Sequence, residues 1–387
     1  MTGGLGTRAV EAPVRSDPTS RSALRGWILT GVAVSGFLLA ALFVAAYFGA
    51  TFGVLTALLA LAVAVLPLGI VIPTFLWLDR FESEPTRYLV TAFLWGALVA
   101  AVLAAVFNTG AIIVLREASD PESALATTAI FVAPVVEEAV KGLLVLVVWL
   151  LLRHEFDGVT DGMVYAGVCA AGFAFTENIQ YLAQAYTEGG GSALTGTFVA
   201  RCVMSPFAHP MFTILTGVGI GVAATSRSWA PRIIAPVVGF LLAVLAHSLW
   251  NLAAVTSGRG LVTVYLLIEV PIFVAFVAFV IWARRREGRL IARYLRVYAD
   301  AGWLSAGEVE MLASMPRRRE ARAWARANAG ARGLAAMRAF QDTASELALL
   351  RRRTEHGADH VGAPAQEQAL LAALASRRAE FVGMPVY

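Results

Sequence analysis

Along the first three quarters of the chain, apolar residues gather into runs of about twenty, each bounded by a short polar cluster. A hydrocarbon core takes about twenty helical residues to cross. The pattern therefore predicts eight membrane-spanning helices, near 27–49, 53–77, 88–114, 126–152, 162–184, 196–224, 233–256 and 262–283. Residues 188–192, with three consecutive glycines, read as a flexible loop between the fifth and sixth spans. After residue 283 the pattern changes, because no later apolar run reaches spanning length. Ser305 and Glu308 have capping-box spacing, Pro316 opens a long Ala/Arg/Leu helix to about Arg353 closed by Gly357, and a further helical run covers 366–379. The predicted fold class is all-α: a polytopic transmembrane helix bundle over 27–283, after a disordered cytoplasmic tail (1–26) and before a helical cytosolic tail (284–387).

Composition supports this division. Apolar residues make up 58% of the 387 positions and charged residues 15%, values that exclude an ordinary soluble domain. Residues 1–283 carry 13 basic and 16 acidic groups, whereas 284–387 carry 18 basic and 11 acidic. Arginines cluster in the N-tail (Arg8, Arg15, Arg21, Arg25), in the even-numbered connections and just after the last span. The positive-inside bias places both termini in the cytoplasm of a multi-pass cell-membrane protein. Arg317–Arg319 and Arg351–Arg353 suit anionic lipid or nucleic acid, but a solvated helical face is the simpler reading, and no nucleic-acid partner is expected. The two cysteines, Cys169 and Cys202, lie in apolar stretches and read as buried inert thiols.

The chemistry lies in polar residues within the apolar runs. Glu137, Glu138 and Lys141 sit midway along the fourth span, and Lys141 is the only lysine in the chain. A charge at the centre of a membrane helix costs roughly 2.5–3.5 kcal/mol, so such groups face protein and mark function. Glu137 and Lys141, four apart, can pair and leave Glu138 free for other work; the structural alternative is a buried ion pair and no more. Glu177 and Asn178 lie in the fifth span; Arg201, Ser205 and His209 form an i, i+4, i+8 stripe in the sixth; His247 and Asn251 share a face of the seventh. Counting residues from the span ends brings Glu138, Glu177, His209 and His247 to comparable depth in the outer half of the bilayer. Carboxylates that activate water, and histidines and asparagines that stabilise an oxyanion, suit hydrolysis. A lone histidine here is equally well satisfied by a backbone carbonyl.

Four motifs in order, Glu137-Glu138-x-x-Lys141, Phe173-x-x-x-Glu177-Asn178, a span with His209, and His247-x-x-x-Asn251, resemble the PrsW family of intramembrane proteases. That family is related to type II CAAX prenyl endopeptidases and bacteriocin-processing membrane proteins. The Asp157-Gly158, Asp161-Gly162 and Tyr165 entry to the fifth span fits as well, and the resemblance covers roughly 65–256. It implies an endopeptidase that uses carboxylate-activated water on membrane-protein substrates within the lipid bilayer, including site-1-type cleavage of a regulatory protein such as an anti-sigma factor. The cofactor is either none or a zinc ion. A zinc site would draw on Glu138, His209 and His247. A metal-free scheme, favoured because no H-E-x-x-H is present, makes Glu138 or Glu137 the base. His209 and Glu177 then position water, and His247 with Asn251 holds the oxyanion. Lys141, Asn178 and Arg201 balance charge or support these groups. The tail's partner is not indicated. The competing classes are a proton-coupled transporter, which predicts inverted repeats the sequence does not show, and a non-catalytic membrane scaffold.

Overall fold

The computed structural model describes residues 18–81, 84–152, 156, 158–256, 265–355 and 362–382, and these contain helices and connections but no strand. Helix α1 (Pro18–Phe52) starts nine residues before the predicted boundary at 27. Proline suits a first helical position, and the Ser/Ala/Leu/Arg residues that follow carry no helix breaker. Then come α2 (Val54–Ala64) and α3 (Leu68–Leu78), bent by 40° at the break between them. α4 (Thr86–Leu94) continues through a π-helical turn into α5 (Ala101–Arg116). The short α6 (Pro121–Thr127) is capped by Asp120, which accepts from the Glu122 and Ser123 amides, and leads through a second π-turn into α7 (Ala133–Leu151).

Helix α8 (Val159–Phe198) is broken at Gly190, where φ is +64°. Only glycine adopts that conformation at no steric cost, so the predicted loop is a single break rather than an open 188–192 segment. A third π-turn (Val199–Met204) and a non-helical Ser205 precede α9 (Ala208–Thr225). The predicted stripe from Arg201 to His209 is therefore not one continuous α-helix. Pro206 lacks an N–H and disfavours helical backbone at Ser205. α10 (Trp229–Thr256) and α11 (Val270–Asp300) complete the apolar part.

By length and apolarity, five stretches of the described residues can cross a membrane, or six if α2 and α3 form one broken span. One of them, Val159–Thr225, is 67 residues long. Straight, it would measure about 100 Å, over three times a hydrocarbon core. It instead folds back, so that α8 and α9 run antiparallel with Gly162 against Gly217 and Gly221 against Gly158. α7 is not among the five because it carries three charges. The predicted count of eight is thus not what length and apolarity alone return, although all eight predicted windows contain helix.

The α8–α9 hairpin forms the centre: 78% of its most apolar window is buried, against 6–19% for the four other long helices. Glycine makes this packing possible. A Cβ on Gly162 would lie 2.0 Å from the Gly217 carbonyl oxygen, on Gly172 2.1 Å from the Phe93 oxygen, and on Gly96 1.8 Å from the Cys169 oxygen. Small residues of this kind allow membrane helices to approach at backbone distance.

After α11 the chain forms α12 (Ala306–Leu312), α13 (Met315–Glu355, broken at Gly330) and α14 (Ala363–Val382). The Ser305/Glu308 capping box forms with both of its hydrogen bonds. These helices and the end of α11 bury their own apolar cluster, including Leu295, Leu312, Phe340, Leu347 and Leu374, with Phe81 inserted from the membrane part. Residues 1–17, Asp157 and Gly357 lie outside the described residues.

Gly217→Leu forces apart the α8–α9 crossing, and overpacking of this kind costs about 1–3 kcal/mol. We expect a clearly lower melting temperature for the full chain in detergent. Gly31→Leu, with nothing within 4 Å of its Cβ position, should melt like wild type.

Candidate active site

Four helices each deliver part of one polar cluster. α7 supplies Glu137, Glu138 and Lys141; α8 supplies Glu177; α9 supplies His209 and Thr213; α10 supplies His247. Glu138 and Lys141 are both 0% exposed. Their charges have no solvent, so each must be satisfied by protein. Lys141 Nζ donates to Glu138 Oε1 at 2.6 Å, faces His209 Nδ1 at 3.4 Å and lies 4.6 Å from the centre of the Phe173 ring. The other oxygen of Glu138 accepts from Thr213 Oγ1 at 2.8 Å.

This corrects the predicted pairing of Glu137 with Lys141. Positions three and four apart are equally reachable on a helix, and Lys141 turns toward Glu138, where Thr213 and both histidines converge. Glu138 is the fully engaged carboxylate. Glu137 is the one with capacity to spare: its Oε1 accepts from Asn108 Nδ2 at 3.3 Å, while its Oε2 is buried without a hydrogen-bond partner.

The orientation of His247 follows from Glu138. Its Nδ1 lies 3.0 Å from Glu138 Oε1, so Nδ1 carries the proton and Nε2 presents a lone pair, an assignment made from the neighbours. That lone pair faces Glu137 Oε2 at 3.8 Å. The ring is held further by stacking on Phe212, with centroids 5.0 Å apart. His209 stands edge-on to His247 at 5.1 Å. Its Nε2 meets Glu177 Oε2 at 2.7 Å.

Glu177 is the more open carboxylate, with 18% of its side chain exposed. Its Oε2 also accepts from Arg201 at 2.5 Å, while its Oε1 makes no hydrogen bond among the described residues. Arg201 is itself positioned, donating to Asn178 Oδ1 at 2.9 Å and lying over the Tyr181 ring at 4.0 Å. Asn251 does not join the cluster through its amide nitrogen, which donates to the Ala129 carbonyl in the π-turn before α7 at 2.7 Å. π-turns of this sort free backbone carbonyls and are frequent beside functional sites.

Glu137, His209 and His247 each offer one ligand atom, and these atoms lie within 4.8 Å of one another. The predicted metal set named Glu138, His209 and His247; the three residues whose ligand atoms gather are Glu137, His209 and His247, and of the two glutamates Glu137 is the one with an oxygen free of hydrogen bonds. The donor types suit a divalent cation, since two imidazoles and a carboxylate are zinc-type donors. Glu137 Oε2 has no hydrogen-bond partner and Glu138 orients His247, whereas His209 would ligate only by giving up its contact with Glu177 or Lys141. Sequence reasoning missed Asn108 and gave Thr213 no role. A lone amide inside the apolar run of α5 was the available signal for Asn108. Tyr165 lies away from the cluster and donates to Glu84 at 2.5 Å.

Fold and site together define a helical membrane protein with a Glu/His centre buried among its helices. A profile of the PrsW family intramembrane metalloproteases matches residues 84–280, which include every member of the cluster. The chain belongs to this family. It is 32% identical over 139 residues to Protease PrsW of Clostridioides difficile, covering 36% of this chain and 55% of that protein. It is 30% identical over 157 residues to Protease PrsW of Geobacillus kaustophilus, covering 40% and 63%. The Oceanobacillus iheyensis Protease PrsW matches at 29% over 178 residues, 46% of this chain and 75% of that protein. The chain thus spans just over half to under two thirds of the length of the first two relatives. No solved structure matches.

Lys141→Met strands the Glu138 carboxylate in the bundle. Removing one partner of a buried pair costs about 3–5 kcal/mol, so the full chain should melt well below wild type. Combining it with Glu138→Gln should recover part of the loss, which thermal melts of both variants would read directly.

Proposed function

We propose that the chain is an intramembrane endopeptidase that hydrolyses peptide bonds of membrane-protein substrates in the bilayer. The observation that carries the reading is the confrontation of Glu137 Oε2, buried and unpaired, with His247 Nε2 at 3.8 Å beside His209. Family membership supports the reaction class. Glu137, His209 and His247 are the residues that would hold a divalent cation. Such an ion, when bound, supplies Lewis acidity toward the scissile carbonyl and lowers the pKa of water.

The chain's own residues then divide the remaining work. Glu177 accepts the proton of the attacking water at Oε1, the oxygen its neighbours leave open, and passes it to the leaving amine. Arg201 fixes that carboxylate, with Asn178 fixing Arg201. Glu138, Lys141 and Thr213 lock the His247 ring so that Nε2 points at the centre. Asn251 secures the π-turn carbonyl that precedes the Glu137 helix. This departs from a scheme in which Glu138 is the base, because a carboxylate with both oxygens bonded and no exposure cannot meet water.

The arginine distribution supports an orientation with both termini in the cytoplasm of the cell membrane and the site in the outer half. A substrate that presents its scissile bond there is a single-span membrane protein, with a regulatory protein such as an anti-sigma factor as the specific form.

Cleavage of a co-expressed single-span reporter tests the reading. Glu137→Gln and Glu177→Gln should each lower cleavage at least about a hundredfold, the lower end of what a positioned acid–base group contributes. Asn251→Ala should keep more activity than either. Wild-type cleavage by Glu137→Gln would sink the proposal.

A further inference from the structure

We propose that the chain binds a phosphate-bearing anion in a second site, a cavity of about 380 Å³ where the membrane helices meet the C-terminal helices. Its wall carries six guanidinium groups, Arg80, Arg284, Arg318, Arg319, Arg322 and Arg338, and one described carboxylate, Asp342. None of the six makes an ion pair among the described residues. So many like charges in one cavity repel each other unless an anion joins them.

Arg284 points most directly to a ligand. It lines the cavity and is 8% exposed, with Nη1 buried and lacking a hydrogen-bond partner. The guanidinium lies over the Trp77 ring, with its carbon 3.8 Å from the ring centre. Glu287, one turn on, is near enough to attract Arg284 but forms no ion pair with it among the described residues, and Glu287 Oε2 is itself buried without a hydrogen-bond partner. A guanidinium seated over an aromatic ring, with a buried Nη1 that has no hydrogen-bond partner, is preorganised for a phosphate oxygen. Arg318 braces the floor: fully buried, it donates to the carbonyls of Leu312 and Phe81 and to Ser345 Oγ. Burial, reinforced by the neighbouring Arg322 and Arg284, pushes Arg318 down to about 10 despite Asp342 and Glu287. The first turn of α13, Met315 and Pro316, also lines the cavity, and a helix N-terminus adds favourable potential for an anion.

Two sources of phosphate fit this chemistry. Trp77, at the end of the α2–α3 pair, is 39% exposed and sits where an interfacial aromatic would meet lipid headgroups. The open side carrying Arg319 and Arg338 equally admits a soluble phosphate. Either would tie together α3, α11 and α13, which come from separate parts of the chain.

The test uses the full chain in neutral detergent, titrated in native mass spectrometry with phosphatidylglycerol, zwitterionic phosphatidylcholine and sodium pyrophosphate. Binding of phosphatidylglycerol but not pyrophosphate assigns a lipid headgroup; the converse assigns a soluble phosphate; binding of both assigns a general phosphate site. In each case Arg284→Gln should weaken the bound probe about tenfold, as loss of one charge-assisted contact does. The double variant Arg319→Gln/Arg338→Gln, altered only at exposed positions, should weaken it by at least as much and decides the matter if Arg284→Gln misfolds. Failure of both probes to bind above phosphatidylcholine, or undiminished binding by the double variant, overturns the site.

Discussion

A lysine and a glutamate with no solvent contact, 2.6 Å apart inside an apolar helix bundle, constrain the rest of this molecule. Neither charge is tolerable alone in that setting. Their mutual satisfaction requires α9 to bring Thr213 and α10 to bring His247 to the same side of α7. That in turn requires the α8–α9 hairpin to pack at backbone distance, which its glycines permit. The pair therefore does more than neutralise itself. It fixes the His247 ring and so leaves Nε2 facing the unpaired oxygen of Glu137.

Much of this was legible in the chain. Polar residues within apolar runs named every histidine and glutamate of the cluster, because a bilayer leaves few other reasons to keep them. What one-dimensional spacing does not carry is side-chain direction. Lys141 lies four residues from Glu137 and three from Glu138, and helical geometry favours neither. The choice is made by Thr213 and His247, 75 and 109 residues from Glu138. For the same reason Asn251 was read as facing the reaction, whereas its amide reaches a carbonyl freed by the π-turn. Such turns leave no trace in apolar periodicity.

The C-terminal helices show a different limit. Their arginines read as a solvated basic face, yet Arg318 is fully buried and holds Phe81 of the membrane part by its carbonyl. Apolar residues dispersed among alanines were enough for a separate core once α11 to α14 packed together. The membrane bundle and the tail thus meet through a charged seam, and α11 belongs to both.

Glu137, not Glu138, is the glutamate proposed to complete a cation-holding trio with the two histidines. The most direct measurement is the metal content of the purified full chain by inductively coupled plasma mass spectrometry, alongside its cleavage activity. About one divalent transition metal per active chain is expected, as a three-residue catalytic site holds, with its loss in Glu137→Gln. A preparation that cleaves its substrate at full rate while carrying no stoichiometric metal would contradict it.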